Sequence, residues 1–288
     1  MAKVQLEAFG VPFNSEEAKL KFRNQIYNCP FDTRRLDVCD KPNNNANKYG
    51  NCSVRTGDQQ RIICPRRFYE NDYRVIKDIK EFVWGNNEAI DCYAEFRLEK
   101  QVENDRFHYG NLDWLLVNQN DPTDFCAIEV QTDCTTGTGG IAQGINDLLS
   151  NNLRSNYNFG LNTLASFKGF LPQFIFKGQL FDDWKKPYIA VMQDELWAKF
   201  ISKFRIRFGE ITEYSTETFV FFIYSLKYDE ARNVYFLGDL KMYSSRWIDL
   251  LLSFSVESQL LIGYNLMCEK IAQRKSTTNP VLTIDQTP

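Results

Sequence analysis

Two acidic residues stand inside apolar segments that have the pattern of β-strands. Asp113 lies in NLDWLLV and Glu129 lies in CAIEVQT, with the polar turn NQNDPTD between the two segments. This short connection predicts antiparallel pairing. A hairpin centred on residue 121 places Asp113 opposite Glu129, whereas one centred on residue 122 places it opposite Gln131. Either register brings these three polar side chains to one face, because alternate residues of a strand share a face.

Carboxylates clustered in this way have a clear chemical use, because they bind hard divalent cations at neutral pH. Bound Mg²⁺ can polarise a phosphate, lower the pKa of an attacking water and stabilise the leaving oxygen, which are the requirements of phosphodiester hydrolysis. Glu95, in AEFRLEK on the preceding strand, is a further carboxylate that could reach such a site. The alternative is a half-exposed sheet whose solvated face carries polar residues, as ordinary alternation predicts.

The composition narrows the possible chemistry. A single histidine, His108, excludes mechanisms that need two histidines and zinc sites rich in histidine. The net charge of −3 shows no basic excess of the kind that often marks nucleic-acid binding. No segment has the apolar length of a membrane span, and MAKVQLEAFG lacks the core of a signal peptide. We therefore expect a cytoplasmic protein with no membrane partner.

Four of the eight cysteines fall in one polar segment: Cys29, Cys39, Cys52 and Cys64. Disulfides are not expected in a reducing compartment, so the thiols are exposed, buried as small apolar groups, or bound to a metal. Their separations of 10, 13 and 12 positions contain no C-x-x-C pair, which makes the spacing a weak metal signal. However, this Asn-rich segment has little apolar surface with which to bury them. Ligation of one metal by four thiolates would order it, and such a site suits iron or zinc.

The elements that must position these residues alternate between helical and strand patterns. Asn14 and Glu17 predict a capped helix ending near Tyr27. The remaining predicted helices cover residues 72–84 and 141–152 and long stretches after Arg246. The predicted strands cover residues 93–98, 112–117 and 125–131. Further segments that extend or flank the sheet are predicted at residues 174–176, 188–192, 218–226 and 233–243. This order predicts an α/β fold with a mixed central sheet.

The chain also resembles the NotI family of restriction endonucleases, within the wider PD-(D/E)xK nuclease class. The resemblance covers roughly residues 5–200. It rests on the following segments: CPF, NCSVRTG, ICPRRF, EFRL, NLDWLLV, AIEVQT, LPQFIFKG and WKKPYIAVMQDELW. It implies that Asp113 and Glu129 bind catalytic Mg²⁺, that Glu95 joins the site, and that Gln131 takes the place of the usual lysine. Glutamine can hydrogen-bond the attacking water but carries no charge.

The resemblance has further implications for the fold. It implies a restriction-endonuclease-like mixed sheet with flanking helices, and an N-terminal loop in which the four cysteines hold one structural iron, with zinc as the alternative. We expect residues 1–70 to form an N-terminal helix and this metal-binding segment, and residues 71–288 to form the nuclease domain with C-terminal helices.

The function implied is that of a type II restriction endonuclease, which hydrolyses double-stranded DNA at a palindromic site as a homodimer. Two alternatives stay open at this point: a nuclease without fixed specificity, and a non-catalytic metal-containing protein that binds DNA or senses redox state. Arg66 and Arg67, beside Cys64, are the preferred candidates for contacts to DNA. Lys177 lies within LPQFIFKG, although a lysine at a strand end is often merely exposed.

Overall fold

The structure, a computed structural model, describes residues 2–34, 38–39, 49–102, 105–204, 206–213, 219–253, 265, 267–270 and 273. Its helices are Glu16–Arg23 (α1), Glu70–Trp84 (α2), Thr138–Leu149 (α3), Thr163–Trp184 (α4), Asp194–Lys203 (α5) and Trp247–Ser253 (α6). Its strands are Lys3–Ala8 (β1), Val11–Pro12 (β2), Asn51–Thr56 (β3), Gln59–Ile62 (β4), Ile90–Val102 (β5), Asp105–Asn118 (β6), Phe125–Gln131 (β7), Thr135–Thr136 (β8), Gly160–Leu161 (β9), Tyr188–Gln193 (β10), Gly209–Ile211 (β11), Phe219–Asp229 (β12) and Val234–Ser245 (β13).

The largest sheet has seven strands in the order β11-β13-β12-β10-β7-β6-β5. Strand β10 runs parallel to both β7 and β12, and the other neighbours in this sheet are antiparallel. Helices α4 and α5 pack on one face of this sheet, and α2 packs on the other. The expected α/β fold with a mixed sheet and flanking helices is confirmed.

Both faces of this sheet are apolar, which explains why its inner strands have nearly continuous apolar sequences. On one face, Ile128 and Val130 pack with Val75, Ile76 and Ile79 of α2, as the alternation in β7 predicts. On the other face, Ala127 packs in a cluster rich in phenylalanine from α4 and α5, including Phe170, Phe174, Phe181 and Phe200. Each fully buried side chain of this size contributes roughly 1.5–3 kcal/mol.

A second sheet of four strands, β2-β1-β3-β4, forms the N-terminal part. The segment that carries the four cysteines is expected to be a loop, and this expectation is wrong over residues 51–62, which form the hairpin of β3 and β4. Helix α1 begins after Ser15, whose hydroxyl accepts from the backbone N of Ala18 at 3.1 Å, and not after Asn14. Helix α3 packs against this sheet through Ile141 and Leu148.

The predicted sheet segment at residues 174–176 is also wrong, because it lies in the 22-residue helix α4. Pro172 and the run FIF favour other structures locally, since proline is rare inside helices and phenylalanine and isoleucine are common in strands. Tertiary packing overrides these local preferences, because Phe170, Phe174 and Phe181 share one buried face of the helix. No helix in the described part of the chain is long and apolar enough to cross a membrane.

Candidate active site

Asp113 and Glu129 lie level on neighbouring strands. Strands β6 and β7 pair antiparallel, with Trp114 opposite Ile128 and Leu116 opposite Cys126, which is the register of a hairpin centred on residue 121. The Asp113 Oδ2 atom accepts a hydrogen bond of 2.7 Å from the backbone N of Val130, next to Glu129. The structure therefore brings the two predicted carboxylates together through main-chain pairing and one side-chain contact.

Glu95 extends this row onto a third strand. The ladder between β5 and β6 pairs Ala94 with Trp114 and Phe96 with Leu112, so that Glu95 lies between these pairs at the level of Asp113. The backbone φ of Glu95 is +51°, a left-handed value that costs free energy in a non-glycine residue and is concentrated at functional sites. Exposure falls along the row, because Glu95 is exposed, Asp113 is half-buried and Glu129 is buried.

Gln131 makes a local contact instead of joining the two carboxylates. Its side-chain Nε2 donates to the carbonyl of Thr132 at 2.8 Å, and the residue is half-buried. It lies two residues after Glu129 on β7, as the pattern predicts, and Met192 of β10 is its neighbour in the register. Its proposed role at an attacking water stays a prediction.

Lys177 also belongs to this site, and its expected place as an exposed lysine at a strand end is wrong, because it lies in helix α4 and is fully buried. Helix α4 places it over β6 and β7 with none of its surface exposed. Its Nζ donates to Glu129 Oε1 at 2.6 Å, to Gln173 Oε1 at 2.9 Å and to the carbonyl of Asn111. The sequence signal was the helical spacing of Phe170, Phe174, Lys177 and Phe181, which puts the lysine on the buried face.

Burial dominates the ionisation of Glu129. Desolvation, followed by the negative charge of Asp113, raises the pKa of Glu129 from 4.5 to about 8, although the Lys177 ammonium opposes this shift. Tyr188 of β10 is fully buried beside the pair, and burial together with the charges of Glu129 and Asp113 raises its pKa well above the ordinary value. The Tyr188 hydroxyl is close enough to Glu129 to interact with its charge. It forms no hydrogen bond with a described residue.

The raised pKa of Glu129 predicts a pH-dependent stability of the metal-free protein. Since the folded state holds this proton more tightly than the unfolded state, the stabilisation is complete below pH 4.5 and is lost as the pH rises through about 8. Glu129→Gln mimics the protonated form at every pH. We expect wild type to lose about 1.4 kcal/mol of unfolding free energy per pH unit relative to this variant within that window.

Urea unfolding in EDTA at pH 5.5, 6.5 and 7.5 measures this difference. The gap between Glu129→Gln and wild type should widen steadily in favour of the variant as the pH rises. An equal gap at all three pH values would show that Glu129 ionises normally in the folded protein.

The four predicted ligand cysteines are all buried, which excludes the exposed-thiol interpretation. Cys64 lies within electrostatic range of both Cys29 and Cys52, and burial is the largest cause that raises the pKa of the Cys29 and Cys52 thiols. Cys39 packs in an apolar cluster with Phe9 and Phe22. Over the described residues, no group of three or more His, Cys, Asp or Glu side chains is arranged to hold a metal ion.

The proposed DNA contact of Arg67 is wrong, because this side chain has no exposed surface. Its Nε donates to Glu7 Oε1 at 3.0 Å and to Glu7 Oε2 at 3.1 Å, and its guanidinium also pairs with Glu70. Arg66 is largely buried as well, and its Nε donates to Asp32 Oδ2 at 3.0 Å. These arginines therefore hold the interior of the N-terminal part.

Exposed basic side chains occur instead on the hairpin of β5 and β6. Arg97, Arg106 and His108 lie there beside Glu99, with side chains about half exposed. Arg97 and His108 also line a cavity of about 290 Å³ together with Gly110 and Asn111, and Asn111 contacts Lys177. Positive charge is thus available next to the carboxylate row.

The fold and the site define an α/β protein whose mixed sheet carries two adjacent carboxylates and a buried lysine. The family model described as "Restriction endonuclease NotI" matches residues 17–237, which is most of the chain. The chain belongs to this restriction endonuclease family, so it is a site-specific deoxyribonuclease that acts on double-stranded DNA. No curated protein matches it.

Proposed function

We propose that this chain is a type II restriction endonuclease that needs Mg²⁺ and cleaves both strands of a palindromic DNA site as a homodimer. The observation that carries the proposal is the carboxylate pair of Asp113 and Glu129, aligned across β6 and β7 in a member of this family. Glu129 is buried beneath α4 and does not lie on a solvated sheet face. A carboxylate on a solvated face would be stabilised by water, whereas a buried one needs charged or hydrogen-bonding partners.

The donor set fits Mg²⁺. Asp113 and Glu129 supply carboxylate oxygens from adjacent strands, and the Val130 amide and the Lys177 ammonium hold these two carboxylates in place. Mg²⁺ is commonly held by one or two carboxylates together with waters and substrate phosphate, so a third side-chain ligand is not required. Burial and, after it, the negative charge of Asp113 raise the pKa of Glu129, and a bound cation would offset both of these costs of ionising Glu129.

The reaction would be attack of a water on phosphorus with loss of the 3′ oxygen, which leaves a 5′-phosphate and a 3′-hydroxyl. Bound Mg²⁺ supplies charge stabilisation of the phosphate and a lower pKa of the attacking water. Among the residues of the chain, Asp113 and Glu129 fix the site, and Gln131 accepts from or donates to the water. Glu95, held in a strained backbone at the exposed end of the row, would orient a water or a neighbouring group of the site.

DNA binding is assigned to the basic face of the β5–β6 hairpin. Arg97, Arg106 and His108 are exposed there and lie on the same strands as Glu95 and Asp113. A homodimer follows from the palindrome, because a two-fold axis lets one small subunit act on both strands.

The test is incubation of the purified protein with phage DNA and Mg²⁺, followed by sequencing of the fragment ends. Discrete fragments whose ends share one palindromic sequence and carry a 5′-phosphate are expected. Random ends would instead identify a nuclease without fixed specificity. Absence of cleavage with Mg²⁺, Mn²⁺ and Co²⁺ would favour a non-catalytic DNA-binding protein.

We also propose that Cys29, Cys39, Cys52 and Cys64 hold one structural iron in the N-terminal segment of residues 1–70. All four are buried, and Cys29, Cys52 and Cys64 form an electrostatically linked group. Thiolate ligands suit iron and zinc equally. Because burial raises the pKa of the Cys29 and Cys52 thiols, a metal would have to displace the protons of these two groups to bind.

Elemental analysis checks this second site. About one iron or zinc per chain is expected in wild type. The metal should be lost in Cys64→Ser and retained in Cys134→Ser, whose cysteine is exposed and lies outside the group. Protein purified anaerobically without iron or zinc, but with unchanged folding, would contradict the proposal.

A further inference from the structure

We propose that Lys177 is a positioning residue that holds the Glu129 carboxylate in its place beside Asp113 and acts on the reaction only through that carboxylate. This inference rests on the proposed function, because it concerns the same site. In the wider nuclease class the lysine stands two residues after the glutamate on the same strand, where this chain has Gln131. Here the positive charge comes from Lys177 in helix α4, 48 residues after Glu129 in the sequence.

The hydrogen bonds of Lys177 decide between a positioning role and direct contact with water or substrate. An ammonium group has three donors and no acceptor. In this protein the three donors have three protein acceptors: Glu129 Oε1 at 2.6 Å, Gln173 Oε1 at 2.9 Å and the carbonyl of Asn111. The side chain has no exposed surface, so no donor remains for an attacking water or a phosphate.

The surroundings of Lys177 keep its ammonium in that position. Gln173 precedes it by one helical turn on α4, and Asn111 lies two residues before Asp113 on β6. The Lys177 Cε passes over Gly110, where a Cβ would stand 3.4 Å away and where φ is +90°. One ammonium therefore ties the strand of Asp113, the carboxylate of Glu129 and helix α4 into a single arrangement.

The first test is a double-mutant cycle of urea unfolding in EDTA with wild type, Lys177→Met, Glu129→Gln and the double variant. The cycle is run above pH 8, where the Glu129 carboxylate is ionised. Each single variant then leaves one buried group without its charged partner, whereas the double variant removes both charges. We expect the unfolding midpoint of the double variant to lie clearly above the value that adding the two single shifts predicts. Additive shifts would show that the pair is not coupled and would overturn the proposal. Lys177→Gln replaces Lys177→Met if the latter does not fold.

The second test measures cleavage under single-turnover conditions and DNA binding in EDTA. Lys177→Met should lower the cleavage rate by about 10²-fold, because a misplaced carboxylate costs this much. It should leave DNA affinity and its salt dependence unchanged, since the ammonium of Lys177 has no exposed surface with which to contact a phosphate. In a Glu129→Gln background it should cause no further loss of rate. Lys168→Met, on the exposed side of the same helix, should match wild type.

Two results would overturn this role. Weaker DNA binding with a smaller salt dependence would make Lys177 a phosphate contact. A full further loss of rate in the Glu129→Gln background would mean that it acts independently of Glu129. Failure of the proposed function is distinguishable, because a wild type that does not cleave DNA leaves the unfolding cycle fully informative.

Discussion

Asp113→Asn and Glu129→Gln are each expected to lower the single-turnover rate of DNA cleavage by about 10³-fold or more. The reason is that a neutral amide oxygen neither attracts a divalent cation nor balances its charge as a carboxylate does. Because Asp113 and Glu129 face the same point from adjacent strands, neither can substitute for the other. Cleavage of a labelled duplex that contains the mapped site, with enzyme in excess over DNA, measures the rate.

Asp183→Asn is the matched control, since this aspartate is exposed on α4 and lies outside the carboxylate row. It should cleave like wild type. DNA binding in EDTA should be retained in both active-site variants, which separates lost chemistry from lost folding. Cleavage by both variants within tenfold of the wild-type rate would remove these carboxylates from the mechanism.

Arg67→Met should produce the largest loss of stability, about 3–5 kcal/mol of unfolding free energy. Arg67, Glu7 and Glu70 form a buried network with very little exposed surface. Removing the arginine takes the cation away from the buried Glu7 carboxylate and leaves Glu70 with the more distant Arg74 at 3.7 Å, and an uncompensated buried charge costs far more than the pairing itself contributes. Denaturant unfolding measures the change.

The network also explains why the loss should be global. Glu7 of β1 accepts from the Ser53 hydroxyl of β3 at 2.6 Å, and Glu70 accepts from the backbone N of Leu237 in β13 at 2.7 Å. Arg67 therefore links the small sheet to the large one. Arg106→Met, at an exposed arginine, should change stability by less than about 0.5 kcal/mol. A similar small change in Arg67→Met would contradict this account of the network.

The part of the site that the sequence predicts is the part set by local pairing. Asp113 and Glu129 share a hairpin, so strand alternation and a short turn suffice to bring them together. The position of Glu95 beside Asp113 is also set by local pairing, because its strand β5 pairs with β6, the strand that carries Asp113. The register of the hairpin needed the structure, since a centre at residue 121 or 122 satisfied the alternation equally well.

The role of Lys177 in the site could not be predicted from local sequence patterns. Its contact with Glu129 joins positions 48 residues apart, and no local rule specifies that distance. The residues around it also favour the wrong element, because Pro172 and the run FIF conceal a helix that is stabilised by packing against the sheet. Likewise, the burial of Arg67 could not be read from its charge, which by itself indicates an exposed side chain.

The decline in exposure from Glu95 through Asp113 to Glu129 gives the site a direction of approach. Strand β5 is the last strand of the sheet, and α4 closes the side above Glu129. Among the described residues the row is most exposed at its β5 end, so we expect a phosphodiester to approach from the β5 side, past Glu95, and to reach the buried Glu129 last. The projecting β5–β6 hairpin would then form one wall of the DNA groove, so its length and charge determine which duplex geometry can reach the cutting point.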